Sequence, residues 1–160
     1  MINTYRNCYN LTGSPVCGNN VTNMYYTYEN CYNLTGSPIC GDKVITMYGV
    51  YYNCANLTGS PICGPSVTNI GYAYFNCYNL SGGDIYLNST NIAYATNCFY
   101  GKNNSNIYNI YVYANSTTLN TLLINNANSI VGETITWTED VENQYYYNTT
   151  WNIYIKPIIT

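Results

Sequence analysis

The chain repeats itself every 23 residues. Cys8, Cys31, Cys54 and Cys77 are separated by 23, as are Leu11, Leu34, Leu57 and Leu80, and as are Cys17, Cys40 and Cys63. The stretch NCYNLTGSPVCG at 7–18 returns almost unaltered at 30–41 and 53–64. A unit this short buries little apolar surface alone, so such an array is stable only when each unit lies against its neighbour. The period then loosens. The next interval runs 21 residues to Cys98, and the stretch beginning CFYGKNNSNIYNIYVYANS keeps only its opening Cys.

Within a unit the apolar positions are too sparse for an amphipathic helix. The pieces L-x-x-S-x-[VI] and V-x-x-[MI] are bounded by Gly-Ser-Pro and Cys-Gly and are rich in β-branched and aromatic residues. This pattern predicts short strands joined by tight turns, and hence a mainly β repeat solenoid with coils of 23 residues over 1–118. Coils in register at the roughly 4.8 Å inter-strand spacing bring identical residues into columns, where Asn side chains bond to one another. Asn7, Asn30, Asn53, Asn76 and Asn97 are expected to form one structural ladder and Cys8, Cys31, Cys54, Cys77 and Cys98 the next, with Asn10, Asn33, Asn56 and Asn79 as a further Asn column. From 119 the text loses Cys and the period. Alternation in ETITWTE and TWNIYIKP predicts two paired strands in a β-rich C-terminal cap at 119–160, with Trp137 and Trp151 as its anchors. At the other end MINTYRNC overlays MYYTYENC after a shift of 23, so the array is expected to begin inside a repeat. Its first edge is then expected to be covered by a second copy or by upstream sequence, because an Arg6–Glu29 contact is too weak to serve as a cap.

The unit at 54–77, CANLTGSPICGPSVTNIGYAYFNC, resembles the BspA-like (Treponema-type) leucine-rich repeat, C-x-x-L-x-x-I-x-I-P-x-x-V-x-x-I-G-x-x-A-F-x-x-C. Cys54, Leu57, Ile62, Val67, Ile70, Gly71, Ala73 and Cys77 fall at or within one place of that pattern. The chain departs from it at Ser14, Ser37 and Ser60, where an aliphatic residue is usual, and at Cys17, Cys40 and Cys63, which stand near the usual Pro. The resemblance covers about residues 1–98 and implies a leucine-rich-repeat-like coil. It also implies an extracellular, cell-surface or virion location, since such proteins are commonly bacterial surface adhesins with relatives among phage structural proteins.

Composition narrows the chemistry. Charged residues make up 7% of 160 and histidine is absent, so solubility falls to Asn, Thr, Ser and the hydroxyls of 22 Tyr. A net charge of -3 with four basic residues leaves no electrostatic footprint for nucleic acid or an anionic membrane. Apolar runs such as LLI at 122–124 fall far short of the roughly 18 residues a membrane span needs. MINTYRNC has no apolar core of a secretory signal.

Eight cysteines and a C-x8-C pair in each of three units invite a disulfide reading, but Tyr86 occupies the partner place of Cys77 and Cys98 has none. The other reading is a small buried thiol at a turn. A zinc site lacks both C-x2-C spacing and His, and a catalytic Cys lacks a base to generate its thiolate. Glu139, Asp140 and Glu142 read as a solvated acidic turn, and N-x-[ST] at Asn10, Asn33, Asn56 and Asn115 as ladder residues before glycosylation sites. No catalytic residue, metal or cofactor is expected.

Tyrosine is the feature in excess. Tyr25, Tyr26 and Tyr28 recur with drift as Tyr48, Tyr51 and Tyr52 and as Tyr72 and Tyr74. Such rings either fill the interior with hydroxyls reaching water or form a ligand-binding face, as Tyr does in binding loops. The expected function is a non-enzymatic adhesion or binding module exposed on a bacterial surface or phage virion, with protein or carbohydrate on a cell surface as partner. The alternative is a purely structural segment of a fibre or appendage that self-associates through coil stacking.

Overall fold

The computed structural model describes residues 1–81, 83–123 and 129–159. Gly82, residues 124–128 and Thr160 lie outside the described residues, and with them part of the apolar run at 122–124 and of the expected cap. Among the described residues six strands and one helix form: β1 (Ile62–Cys63), β2 (Gly83–Leu87), β3 (Tyr108–Tyr113), α1 (Thr117–Leu122), β4 (Thr138–Asp140), β5 (Tyr145–Asn148) and β6 (Ile153–Ile158). They make one sheet in the order β1-β2-β3-β6-β5-β4. The pairings from β1 through β2 and β3 to β6 are parallel, and those of β6 with β5 and β5 with β4 are antiparallel.

The expected leucine-rich-repeat-like solenoid is corrected by this topology. What forms is a small, open mixed sheet, and of the three units that keep the 23-residue period strictly, only β1 enters it. Elsewhere these segments meet through isolated parallel bridges, such as Gly13 to Leu34 and Ile39 to Ile62. The reason is local. Each unit turns at Gly-Ser-Pro and again at an Asn with positive φ, so straight segments are too short to extend a ladder. Proline also removes a donor: Pro38 and Pro61 serve only as acceptors, for the N–H of Ile62 and of Tyr86. At Gly36 (φ +82°) a β-carbon would overlap the Ser14 hydroxyl of the preceding unit, which accounts for Gly and Ser recurring together.

Longer strands appear where that turn chemistry is lost. In β3, YNIYVY alternates buried and half-buried residues, the period-2 pattern of a strand with one face inward. Ile85 of β2, Ile110 of β3 and Ile155 of β6 are register partners in one buried row. The row joins a single core that includes Leu34, Leu57 and Leu80, Val44 and Val67, and Met47 and Ile70.

The tail is less uniformly β than expected. Helix α1 starts at 117, across the 118/119 boundary, with Ser116 as its N-cap accepting from Leu119 N–H at 3.1 Å. It is held by Thr118, whose hydroxyl donates to Ser89 O at 2.6 Å and accepts from Ile92 N–H at 3.0 Å. TWNIYIKP supplies β6, while ETITWTE reaches strand structure only from Thr138. The two do not pair with each other, because β5 lies between them. Trp137 and Trp151 pack, partly buried, against the common core.

Candidate binding surface

Residues 23 apart are neighbours through the first four units, and one motif carries them. The N–H groups of Asn7, Asn30 and Asn53 donate to Glu29, Tyr52 and Phe75 O, each at 2.8 Å. These Asn residues sit at φ of 60 to 62°, a left-handed conformation that Asn tolerates better than most side chains. Their amides then bond to one another: Asn30 Nδ2 donates to Asn7 Oδ1 at 2.8 Å, Asn53 to Asn30 at 2.9 Å and Asn76 to Asn53 at 3.0 Å. In the second column Asn79 donates to Asn56 at 3.3 Å, whereas Asn33 bonds Tyr9 O.

Asn97 and Cys98 fall outside the columns in which the sequence places them. Asn76 N–H donates to Tyr100 O, so the position next to Asn76 is Gly101, at φ +75°. Lys102 N–H donates to Phe99 O as Cys77 N–H does to Tyr74 O, which puts Lys102 where the leading cysteine should be. The Asn97 carboxamide oxygen is buried without a hydrogen-bond partner among the described residues. Aligning YFNC with FYGK, rather than Cys with Cys, would have found this register.

All eight cysteines are free thiols, and all but Cys8 and Cys17 are buried. Cys31, Cys54 and Cys77 donate to the carbonyls of Tyr5, Tyr28 and Tyr51 at 3.0 to 3.1 Å. Burial pushes Cys31 and Cys40 up to about 11 and Cys54, Cys63, Cys77 and Cys98 further, so these sulfurs are protonated hydrogen-bond donors at neutral pH. Among the described residues no three His, Cys, Asp or Glu side chains gather in a metal-binding group.

The tyrosines divide in two. Tyr5, Tyr28, Tyr51, Tyr74 and Phe99 stack in one series with centroids 5.2 to 5.8 Å apart, and Tyr28, Tyr51 and Tyr74 are buried. Tyr28 OH donates to Val16 O at 2.7 Å, while the Tyr51 hydroxyl is buried without a partner. These three rings are therefore core. Tyr25, Tyr26, Tyr48, Tyr52 and Tyr72 remain at the surface, half-buried or exposed.

Those five join Phe75 and Tyr100 in a continuous aromatic strip. Tyr25 stacks on Tyr48 at 5.3 Å, Tyr52 on Phe75 at 4.4 Å and Phe75 on Tyr100 at 4.5 Å. Tyr26 meets Tyr48 and Tyr52 edge-on, and Tyr72 links Tyr48 to Tyr52. Gly49, at φ +59°, lies where a β-carbon would overlap the Tyr26 ring, so the ring's seat exists only because that residue is Gly. Tyr26 and Tyr72 themselves have positive φ, at 48° and 54°, which is uncommon for bulky side chains and costs on the order of 1–3 kcal/mol. Burial, then the neighbouring Tyr48 and Tyr25, raise the Tyr26 hydroxyl to about 12. Arg6 lies over the Tyr26 ring at 5.5 Å and pairs with Glu29 at 2.5 Å.

The repeat pattern of the sequence does not mark Phe75, Tyr100 or Gly49 as part of this surface. Phe75 and Tyr100 are legible as the aromatic next to the core ring in YAYFN and NCFYG; Gly49 carries no such signal. No helix among the described residues is long and apolar enough to cross a membrane. No protein-family model, no curated protein and no solved structure matches this chain.

Proposed function

We propose that the protein is a non-catalytic binding module, working on a cell or virion surface, that holds a neutral carbohydrate against the strip formed by Tyr25, Tyr26, Tyr48, Tyr52, Tyr72, Phe75 and Tyr100. The carrying observation is the strip itself: seven rings linked by pairwise contacts from Tyr25 to Tyr100 and left at the surface beside a core that already contains its own aromatic series. Exposed aromatic area held rigidly supplies contact at little entropic cost. The strained backbone at Tyr26 and Tyr72 supports the same reading, because such strain gathers at ligand sites. Arg6 and Glu29 neutralise each other at its margin, which favours an uncharged, hydroxyl-rich partner over an ionic one. A glycan array tests the proposal with the wild type and the Tyr25→Ser/Tyr48→Ser variant. Wild-type binding to neutral glycans is expected to fall at least tenfold in the variant at unchanged thermal midpoint. A wild type that binds no glycan, or a variant that binds equally, would overturn the reading.

A further inference from the structure

One row of register partners crosses the sheet through Ile85, Ile110, Ile155, Tyr146 and Glu139. The three isoleucines are buried, Tyr146 is half-buried and Glu139 is exposed. The sheet face that forms the core therefore continues past β6 and emerges into solvent on β5 and β4. Helix α1 packs on β3 and β6, and beside it the emerging face forms a cleft of about 450 Å³. The helix contributes Leu119, the sheet Tyr146 and Pro157, and the β4–β5 turn Val141. Such a volume is ordinary for a small-molecule site.

Among the described residues that line it, the cleft holds one charge. The Glu139 carboxylate has neither an ion pair nor a hydrogen bond among the described residues. The chain has no cation to give it: Arg6 pairs with Glu29, Lys43 bonds Asn20, Lys102 is buried over Tyr108 and Lys156 lies over Tyr111. Beside this charge the walls are apolar and uncovered, Val141 being 75% and Ile159 71% exposed. A neutral apolar ligand would desolvate an unpaired carboxylate, which is costly, and an anion would be repelled by it. We infer that the cleft binds a small organic cation, a primary ammonium carrying one aryl or branched alkyl group. Its ammonium sits on Glu139 and against the Tyr146 ring, which attracts a cation on its face. Its apolar part covers Leu119, Val141 and Ile159. An ammonium has three donors, and the side-chain amides of Asn115 and Gln144, which make no hydrogen bond among the described residues, accept those that Glu139 leaves. The cleft shares no residue with the aromatic strip and does not depend on the carbohydrate proposal.

Calorimetric titration with phenethylamine tests the cleft. Saturable binding is expected, at least tenfold tighter than that of phenethyl alcohol, which lacks the charge, of phenylpropionate, which reverses it, and of methylamine, which lacks the apolar body. Glu139→Gln keeps the shape of the side chain and removes the charge; it is expected to weaken phenethylamine at least tenfold at an unchanged thermal midpoint, because the carboxylate bonds nothing in the fold. Val141→Ser removes an exposed apolar wall and leaves the charge. It is expected to weaken binding severalfold while the preference for amine over alcohol survives, and it serves if the first variant fails to fold. Absence of saturable binding, equal affinity for the alcohol or the carboxylate, or unchanged affinity in either variant would each overturn the inference. None of these results bears on the glycan array, because Tyr25 and Tyr48 are untouched.

Discussion

Asn53 combines two demands that few residues meet together. Its amide donates to Asn30 at 2.9 Å and accepts from Asn76 at 3.0 Å, while its backbone sits at φ +60°. Asn53→Gly keeps the conformation and loses the bonds, so it is expected to cost about 1–3 kcal/mol. Asn53→Leu loses both and is expected to cost about 1–3 kcal/mol more, the strain of a left-handed branched residue. Urea unfolding of the two separates the terms. An unmoved midpoint in the Gly variant would remove the amide ladder from the stability of the fold, and equal losses would remove the backbone contribution. The ladder was legible because it repeats one letter at one interval. The backbone requirement was legible only in hindsight, as the reason that letter is Asn rather than Gln.

Elements were harder to read than columns. The 23-residue period marks which residues are neighbours but not whether their backbones run straight enough to count as strands. Turns at Gly-Ser-Pro and at the left-handed Asn cut the repeats into bridges, and the sheet grows from β2, β3 and β6, where those turns are gone. Cysteine is a misleading marker at Asn97 and Cys98, which lie outside the columns of Asn76 and Cys77. The spatial step from Asn76 leads to Gly101, a longer interval than the one to Asn97, and the residues between include β2. Strand β5 is not legible in the sequence because YYYN lacks alternation, all four residues being half-buried. Of the aromatic strip, five tyrosines are legible by type, yet Tyr28, Tyr51 and Tyr74 are spelled the same way and lie inside. Helix α1 is not legible in the sequence because TTLNTL is short and depends on its cap. Ser116 Oγ accepts from Leu119 N–H at 3.1 Å and donates to Tyr113 O at 2.6 Å. Ser116→Ala is therefore expected to cost about 0.5–2 kcal/mol, with faster hydrogen exchange at Leu119 than at Ile110. Unchanged exchange at Leu119 would mean that Thr118, and not the cap, holds the helix.

The whole molecule has an interior of thiols and phenols, and this gives its stability an unusual dependence on pH. Burial raises Cys31, Cys40, Cys54, Cys63, Cys77 and Cys98 above the ordinary thiol value of 9.0. It also raises Tyr51, Tyr74 and Tyr108 above the ordinary 10.0. For such groups the unfolded chain releases its protons first. Stability is therefore intact below about pH 9 and falls as pH climbs from the unfolded toward the folded values. Lys102 acts in the opposite sense. Its ammonium is buried over the Tyr108 ring at 4.6 Å, bonded to Asn103 and Asn106 O, and burial lowers it from 10.5 to about 8. Between about pH 8 and 10.5 the unfolded state holds the extra proton, so this one group favours folding as pH rises. Each fully engaged group changes stability by about 1.4 kcal/mol per pH unit, so the four most deeply buried thiols, Cys54, Cys63, Cys77 and Cys98, outweigh the one lysine above pH 9. Total stability for a domain is only about 5–15 kcal/mol, so marked destabilisation is expected by about pH 10. Thermal melts followed by circular dichroism should give a midpoint that falls only gently from pH 8 to 9, where Lys102 offsets part of the thiol loss, and then collapses. Lys102→Met should steepen the early fall, and Cys77→Ala should shallow the collapse. A midpoint that stays level through pH 10.5 in the wild type would mean that the buried thiols ionise as readily in the folded protein as in the unfolded chain.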